Sequence, residues 1–313
     1  MKPFLIALCL LGITAAAERH VWQPGYKQLL LWPETPPGAM AGPDEETVQT
    51  VVEPVAGRPW TKISKVSSPT MTIFVPKGSN TGAAVVVFPG GGYKILAIDL
   101  EGTEVCDWLT SKGITCILLK YRVPDSGPHW EKSCDCQVTP QIPAALQDAQ
   151  RAVGLVRLHA KEWHIDPHKV GVLGFSAGGF LSADISNHFD KRAYSPVDAA
   201  DRESCRPDFA VALYPGHLWT GGDALRLNPS LHPTRDTPPT FLLQAENDNV
   251  DNVNQALTYY ISLKDVGVPT EMHLYSDGGH AFGLRRTKLP ITAWPQLVET
   301  WLGAIGVLSS RCP

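Results

Sequence analysis

Gly174-Phe175-Ser176-Ala177-Gly178, with Gly179 behind it, sets one hydroxyl among small residues directly after the apolar run KVGVLGF. Glycine loses more conformational entropy on folding than any other residue, so a cluster of glycines marks a backbone that must bend sharply or be approached closely. In the pattern G-x-S-x-G the serine occupies a tight, strained strand-to-helix turn, and the helix that opens behind it brings its positive end near the hydroxyl. An ordinary strand-to-helix loop is the alternative. The position of the motif between an apolar run and a helical pattern favours the strained turn.

A serine hydroxyl is a weak nucleophile until a base removes its proton, and that base needs a third group to hold its tautomer. His280, in GGHAFG after the strand pattern TEMHLYS, and Asp248, in AENDNV after TFLLQAE, follow Ser176 in the order nucleophile, acid, base. Both close late strands, which puts them at the same rim of a sheet as Ser176. Asp251 and Glu246 are rivals for the acid. Asp251 begins the next helix and reads equally well as its first-turn charge or cap, and Glu246 lies closer to the strand, so Asp248 is preferred. His159, His164 and His168 cluster around a helix end as surface polar residues; a metal site is the weaker reading. His273 sits inside a strand, while His217, in YPGHLW, follows one.

Pro89-Gly90-Gly91-Gly92-Tyr93 ends the apolar run AAVVVF. Acyl transfer generates an oxyanion that needs backbone N–H donors, and a glycine run presents donors without side chains in the way. Gly91 or Gly92, together with Ala177, are the expected donors. A phosphate loop would require G-x-x-x-x-G-K-[ST], which does not follow. Chemistry of this kind needs no metal and no organic cofactor.

The elements that must hold these residues alternate along the chain. AAVVVF is a continuous apolar run of the kind shown by a strand buried on both faces, ITCILLKYR reads as a buried strand, and KVGVLGF, FAVALYP and TFLLQAE read as further strands. Between and after them, EGTEVCDWLTSKG, QIPAALQDAQRAVGLVRLHAKEW, VNQALTYYISLKDVG and ITAWPQLVETWLGAIG carry apolar residues at helical spacing. This predicts a three-layer α/β fold, a mostly parallel central sheet with helices on both faces. TKISKV and TMTIFVP alternate polar and apolar positions and read as an antiparallel pair. Two insertions, VPDSGPHWEKSCDCQVTP and NHFDKRAYSPVDAADRESCRPD, leave from or return near the carboxyl ends of the strands, where open α/β sheets bind ligands.

The chain has 313 residues, 43% hydrophobic and 19% charged, with a formal charge of -4. Such a balance gives no reason to expect nucleic acid as a partner and suits neutral or weakly polar substrates. Residues 1–17 have one lysine, an apolar stretch over 4–13 and small residues at Ala15 and Ala17, the order of a signal peptide cleaved after Ala17. That stretch is too short to span a bilayer, so the mature protein is expected to be secreted or periplasmic, with no membrane partner. Residues 18–313 are expected to form one catalytic domain, with an irregular Pro-, Gly- and Trp-rich lead-in over 18–60. Besides Cys9, the cysteines are Cys106, Cys116, Cys134, Cys136, Cys205 and Cys312, an even number that permits disulfides after export. One of Cys134 and Cys136 is expected to pair with Cys205.

In order, the motifs VVVFPGGGYKILAIDLEG, GITCILLKYRVP, VGVLGFSAGG, RPDFAVALYPG and GGHAFGLR, over about residues 85–284, resemble the α/β-hydrolase superfamily. They are most similar to its secreted bacterial esterases of the acetyl xylan esterase and feruloyl esterase type, the BD-FAE group. The resemblance implies a serine esterase acting on acyl groups of plant cell-wall polysaccharide, with Ser176 as nucleophile, His280 as base and Asp248 as acid. Many superfamily esterases carry histidine before the glycines where this chain has Pro89, which puts the support of the oxyanion loop in doubt. Tyr93, Trp130 and His217 are candidates to line the acyl or sugar side, and each reads equally as packing. A prolyl-type peptidase and a non-catalytic binding protein on the same fold are the other readings. Acyl preference, glycan and oligomeric state are not legible.

Overall fold

The computed structural model describes Trp22 and residues 26–38, 46–141, 143–222 and 224–308. The expected signal peptide and Cys312 lie outside the described residues. An eight-stranded sheet runs, in spatial order, β1 (Gln28–Leu30), β4 (Thr70–Phe74), β7 (Thr115–Lys120), β5 (Ala84–Phe88), β10 (Val170–Phe175), β11 (Ala210–Leu213), β12 (Thr240–Ala245) and β13 (Thr270–Tyr275). From β7 to β13 neighbouring strands are parallel, while β4 is antiparallel to both β7 and β1. Every residue of β5, β7, β10, β11 and β12 is buried, as expected for strands covered on both faces.

Among the described residues five α-helices supply the cover: α1 (Glu104–Ser111), α2 (Ala144–Leu158), α3 (Ala177–Asn187), α4 (Asn254–Asp265) and α5 (Trp294–Ala304). The chain winds from β5 through α1 to β7 toward one edge, and from β10 through α3 toward the other. Right-handed crossovers in opposite directions put their helices on opposite faces. Accordingly α1 and α5 meet edge-on through Trp108 and Trp294, ring centroids 5.2 Å apart, and α2 packs against α3. Among the described residues no helix is long and apolar enough to cross a membrane.

Two early expectations are corrected. TKISKV and TMTIFVP do not pair with each other: the first lies in β3 (Arg58–Ser64), which pairs with β2 (Thr47–Val55) and β6 (Ile95–Ala97) in a separate antiparallel sheet, and the second is β4 of the main sheet. Met71 and Phe74 are buried and place β4 inside the fold, whereas β2 is largely exposed and needs only its hairpin partner. The described part of the lead-in over 18–60 is also less irregular than its composition suggests, since it contains β1 and β2. The turn between β2 and β3 is Ala56-Gly57, with φ of +50° and +76°, the backbone that a two-residue hairpin requires. Arg285 fastens this hairpin to the body, donating to the carbonyl of Arg58 at 2.6 Å and to Glu104 of α1 at 2.9 Å.

The expected link from Cys134 or Cys136 to Cys205 is not formed. Cys134 and Cys136 stand at disulfide distance from each other, and Cys106 and Cys116 likewise, each pair with Cα atoms 5.2 Å apart. Cys136 opens β9 (Cys136–Val138), which pairs with β8 (His129–Glu131) to make the first insertion a hairpin. Cys205 is a free, buried thiol in the second insertion, its sulfur 3.3 Å from the carbonyl oxygen of Phe189.

Candidate active site

Ser176 joins β10 to α3 with φ of +53° and ψ of -119°, a conformation that costs a non-glycine residue about 1–3 kcal/mol and persists only where the surroundings fix it. The surroundings do so. Ser176 N–H donates to the Leu213 carbonyl at 3.0 Å, and the Ser176 carbonyl accepts from Phe180 N–H at 3.0 Å and Gly216 N–H at 3.2 Å. A Cβ at Gly174 would run into the Gly178 carbonyl, and one at Gly178 into the Phe88 carbonyl. The glycines are therefore set by close backbone packing at the corner, which brings the end of β5 beside the start of α3.

His280 lies on the loop after β13. Asn247 steadies that loop, its Oδ1 accepting from Gly278 and Gly279 N–H at 2.9 Å each. Tyr214 packs edge-on against the imidazole, centroids 4.9 Å apart. His280 Nε2 is 3.0 Å from Ser176 Oγ, and His280 Nδ1 is 2.7 Å from Asp248 Oδ2. Asp248 is buried; its Oδ1 accepts from Val250 and Asp251 N–H at 2.9 Å each, and its Oδ2 also accepts from Gln244 Nε2 at 3.0 Å. Burial disfavours a charged His280, but the Asp248 hydrogen bond and the carboxylates of Asp251, Asp248 and Glu101 outweigh it and raise the imidazole pKa. Of the rival acids, Glu246 is exposed, whereas Asp251 Oδ2 lies 3.3 Å from Ser176 Oγ.

The glycine loop is braced from behind. Tyr121 O–H donates to the Pro89 carbonyl at 2.6 Å, and Gly90 N–H donates to Glu101 Oε2 at 2.8 Å. The Gly91 carbonyl accepts from Lys94 and Ile95 N–H, closing a turn that carries Gly91 at φ +135°. With Gly90 engaged by Glu101, the N–H groups that the loop can offer a ligand are those of Gly91 and Gly92. Ala177 is the first residue of α3, where a helix leaves its N–H groups without an intrahelical acceptor. Here Tyr121 and Glu101 brace a loop that carries proline at position 89.

Ser176, His280, Asp251, Gly91, Gly92 and His217 line a cleft of about 480 Å³, with Trp130 of β8 also on its wall. Burial, with the charge of His129 adding, lowers the His217 pKa to about 4, so this ring is neutral. Tyr93 departs from expectation: it is fully buried and does not line the cleft, its ring packed 6.0 Å from that of His217 and 6.1 Å from that of Tyr121. His159 stacks on Trp163 beside Glu162, and His273 pairs with Glu271 on β13, so neither shares the cleft.

Two groups escaped the reading from sequence. Glu101 is a buried carboxylate, its pKa raised by burial against the hydrogen bonds from Tyr214 O–H at 2.8 Å and Gly90 N–H. Through Tyr214, whose oxygen also accepts from Gly283 N–H at 3.1 Å, it couples the glycine loop to the wall behind His280. Its only sequence signal is that it is one of two acids, with Asp99, inside the mainly apolar stretch KILAIDLEG. Trp60 of β3 lines the cleft with Val55, and no local pattern relates it to residues that follow it by more than a hundred positions.

An oriented hydroxyl, an imidazole bonded to it and a buried carboxylate behind the imidazole, beside free backbone donors, can carry out acyl transfer. The family model described as BD-FAE matches residues 71–215. A solved structure, an acetyl ester-xyloside bifunctional hydrolase from Caldicellulosiruptor lactoaceticus, superposes with a TM-score of 0.68 at 30% identity, covering 90% of this chain and 97% of that one. The chain belongs to the α/β-hydrolase esterase family. Among curated relatives, an acetylxylan esterase of Xylanibacter ruminicola is 31% identical over 236 residues, and an endo-1,4-beta-xylanase B of Butyrivibrio fibrisolvens is 26% identical over 216. These alignments take in 68% and 63% of the present esterase-family chain but 43% and 32% of the relatives, so it spans less than half of either.

Proposed function

We propose that the protein is a serine carboxylic-ester hydrolase that removes acetyl or feruloyl groups from xylan, exported after loss of residues 1–17. The observation that carries this reading is the hydrogen-bonded series Ser176, His280, Asp248 opening into the cleft. Ser176 attacks the ester carbonyl while His280 takes its proton at Nε2, Asp248 holds Nδ1–H, and the N–H groups of Ala177 and of Gly91 or Gly92 receive the oxyanion. Protonated Nε2 then passes its proton to the leaving alcohol, and water repeats the sequence to free the acid. His217 and Trp130 bound the substrate. The substrate class is supported by the similarity to an acetylxylan esterase and to an acetyl ester-xyloside bifunctional hydrolase.

The test compares kcat/KM for acetylated xylooligosaccharides, methyl ferulate and a proline-containing peptide amide. Release of acetate or ferulate with an inert amide is expected; amide cleavage without ester turnover would replace this reading with a peptidase.

The same chemistry sets the pH dependence. Only neutral His280 can accept the Ser176 proton, and its neighbours raise its pKa above the ordinary value of 6.5. kcat/KM is therefore expected to be low in acid and to rise with pH along a limb centred above 6.5, measured with 4-nitrophenyl acetate at constant ionic strength. A limb centred below 6 would contradict it.

A further inference from the structure

Asp251 touches the reacting pair without belonging to the series that orients it. Its Oδ2 is 3.3 Å from Ser176 Oγ and 3.7 Å from His280 Nε2, across the imidazole from Asp248, which meets Nδ1. Asp251 N–H is held by Asp248 Oδ1 at 2.9 Å and its carbonyl by Gln244 Nε2 at 2.7 Å, so one short loop fixes both carboxylates. Room for it is provided opposite: a Cβ at Gly216 would come within 2.5 Å of Asp251 Oδ1 and 2.8 Å of Oδ2.

An ionised carboxylate accepts hydrogen bonds and donates none. Ser176 has one hydrogen to give, and His280 is the nearer acceptor. As Ser176 attacks, that hydrogen passes to Nε2, and Asp251, 3.7 Å from Nε2, lies beside the place where the leaving-alcohol oxygen collects it. Burial already lifts the Asp251 pKa to about 6, so at neutral pH the group is charged, and the side-chain donor that faces it is the Ser176 hydroxyl, which the reaction takes away. A partly buried charge that loses its donor favours a substrate that supplies one and disfavours one that does not.

We propose that Asp251 accepts a hydrogen bond from a free hydroxyl next to the scissile ester on the alcohol half of the substrate, making it a specificity-determining residue for partly acylated polyhydroxy alcohols. This rests on the ester-hydrolase reading. It adds a demand on the substrate that the Ser176, His280 and Asp248 set does not make.

The test measures kcat/KM of the full-length mature protein and of Asp251→Ala and Asp251→Asn on three esters: a monoacetylated methyl xyloside with a free neighbouring hydroxyl, its fully acetylated counterpart, and 4-nitrophenyl acetate. The ratio of the monoacetate to 4-nitrophenyl acetate is expected to fall about tenfold or more in Asp251→Ala, the size of one hydrogen bond to a charged group. The corresponding ratio for the fully acetylated sugar is expected to change less than threefold. Ratios are independent of the active fraction, so poor folding of a variant does not mimic the effect, and Asp251→Asn supplies a variant of unchanged size. An unaltered monoacetate ratio, or an equal fall for both sugars, would overturn the assignment. Absence of turnover on all three esters by the unmodified protein would instead defeat the ester-hydrolase reading.

Discussion

Replacing Ser176 with alanine is expected to lower kcat/KM for 4-nitrophenyl acetate by at least about 10⁴-fold, since loss of a nucleophile leaves only the contribution of the oxyanion donors and binding. The fold should survive the change. Among the described residues the Ser176 hydroxyl bonds only to His280 and Asp251, both on the cleft wall, while the turn itself is held by main-chain bonds to Leu213, Phe180 and Gly216. Alanine meets the same positive φ with a smaller side chain, so a melting temperature close to that of the unmodified protein is the expected control. A second readout separates loss of the nucleophile from general damage: a slow-turnover acyl donor should add one acyl mass to the unmodified protein and none to Ser176→Ala. Equal rates, or acyl mass retained in the variant, would remove Ser176 from the role.

The parts legible in sequence were those whose causes are local. β5, β7, β10, β11 and β12 lie buried on both faces and are visible as mainly apolar runs, interrupted by Gln244 in β12 and ended by Lys120 in β7. The corner at Ser176 is visible because Gly174 and Gly178 are needed within four positions of it, where β5, β10 and α3 crowd together. By contrast, the hairpin of β2 and β3 turns on Ala56-Gly57, a weaker signal than Asn-Gly, and is fastened by Arg285, more than two hundred residues away. Glu101 and Tyr214 meet across 113 positions to brace the glycine loop, and no spacing rule relates them. Tyr93 was misplaced for a related reason: aromatic residues beside a cleft and beneath it look alike in sequence, and the choice is made by Gly127, where a Cβ would strike the Tyr93 ring. The cysteines followed the path of the chain rather than their number, since Cys205 ends in a different insertion from Cys134 and Cys136.

Sequence prefers Asp248 to Asp251 and Glu246 as the partner of the histidine, and geometry gives the two aspartates separable tests. Asp248 is surrounded only by donors: Val250 and Asp251 N–H on Oδ1, Gln244 Nε2 and His280 Nδ1 on Oδ2. Asparagine has the same shape but must turn an NH₂ toward one of these pairs. If it faces the main-chain amides, two N–H groups oppose it in a buried site. If it faces His280, the imidazole can bond to it only by placing its hydrogen on Nε2, where it can no longer accept the Ser176 proton. Asp248→Asn is therefore expected to lose about 10⁴-fold in kcat for 4-nitrophenyl acetate, and about 1–3 kcal/mol of stability through the unsatisfied donors. Asp251→Asn faces no such conflict at His280 Nδ1, so its kcat on the same ester should exceed that of Asp248→Asn by at least about 100-fold. The two kcat values, read with urea denaturation midpoints, decide the assignment. If Asp251→Asn were the more damaged of the two, Asp251 would be the acid that serves His280, and Asp248 would be left as the anchor of its loop.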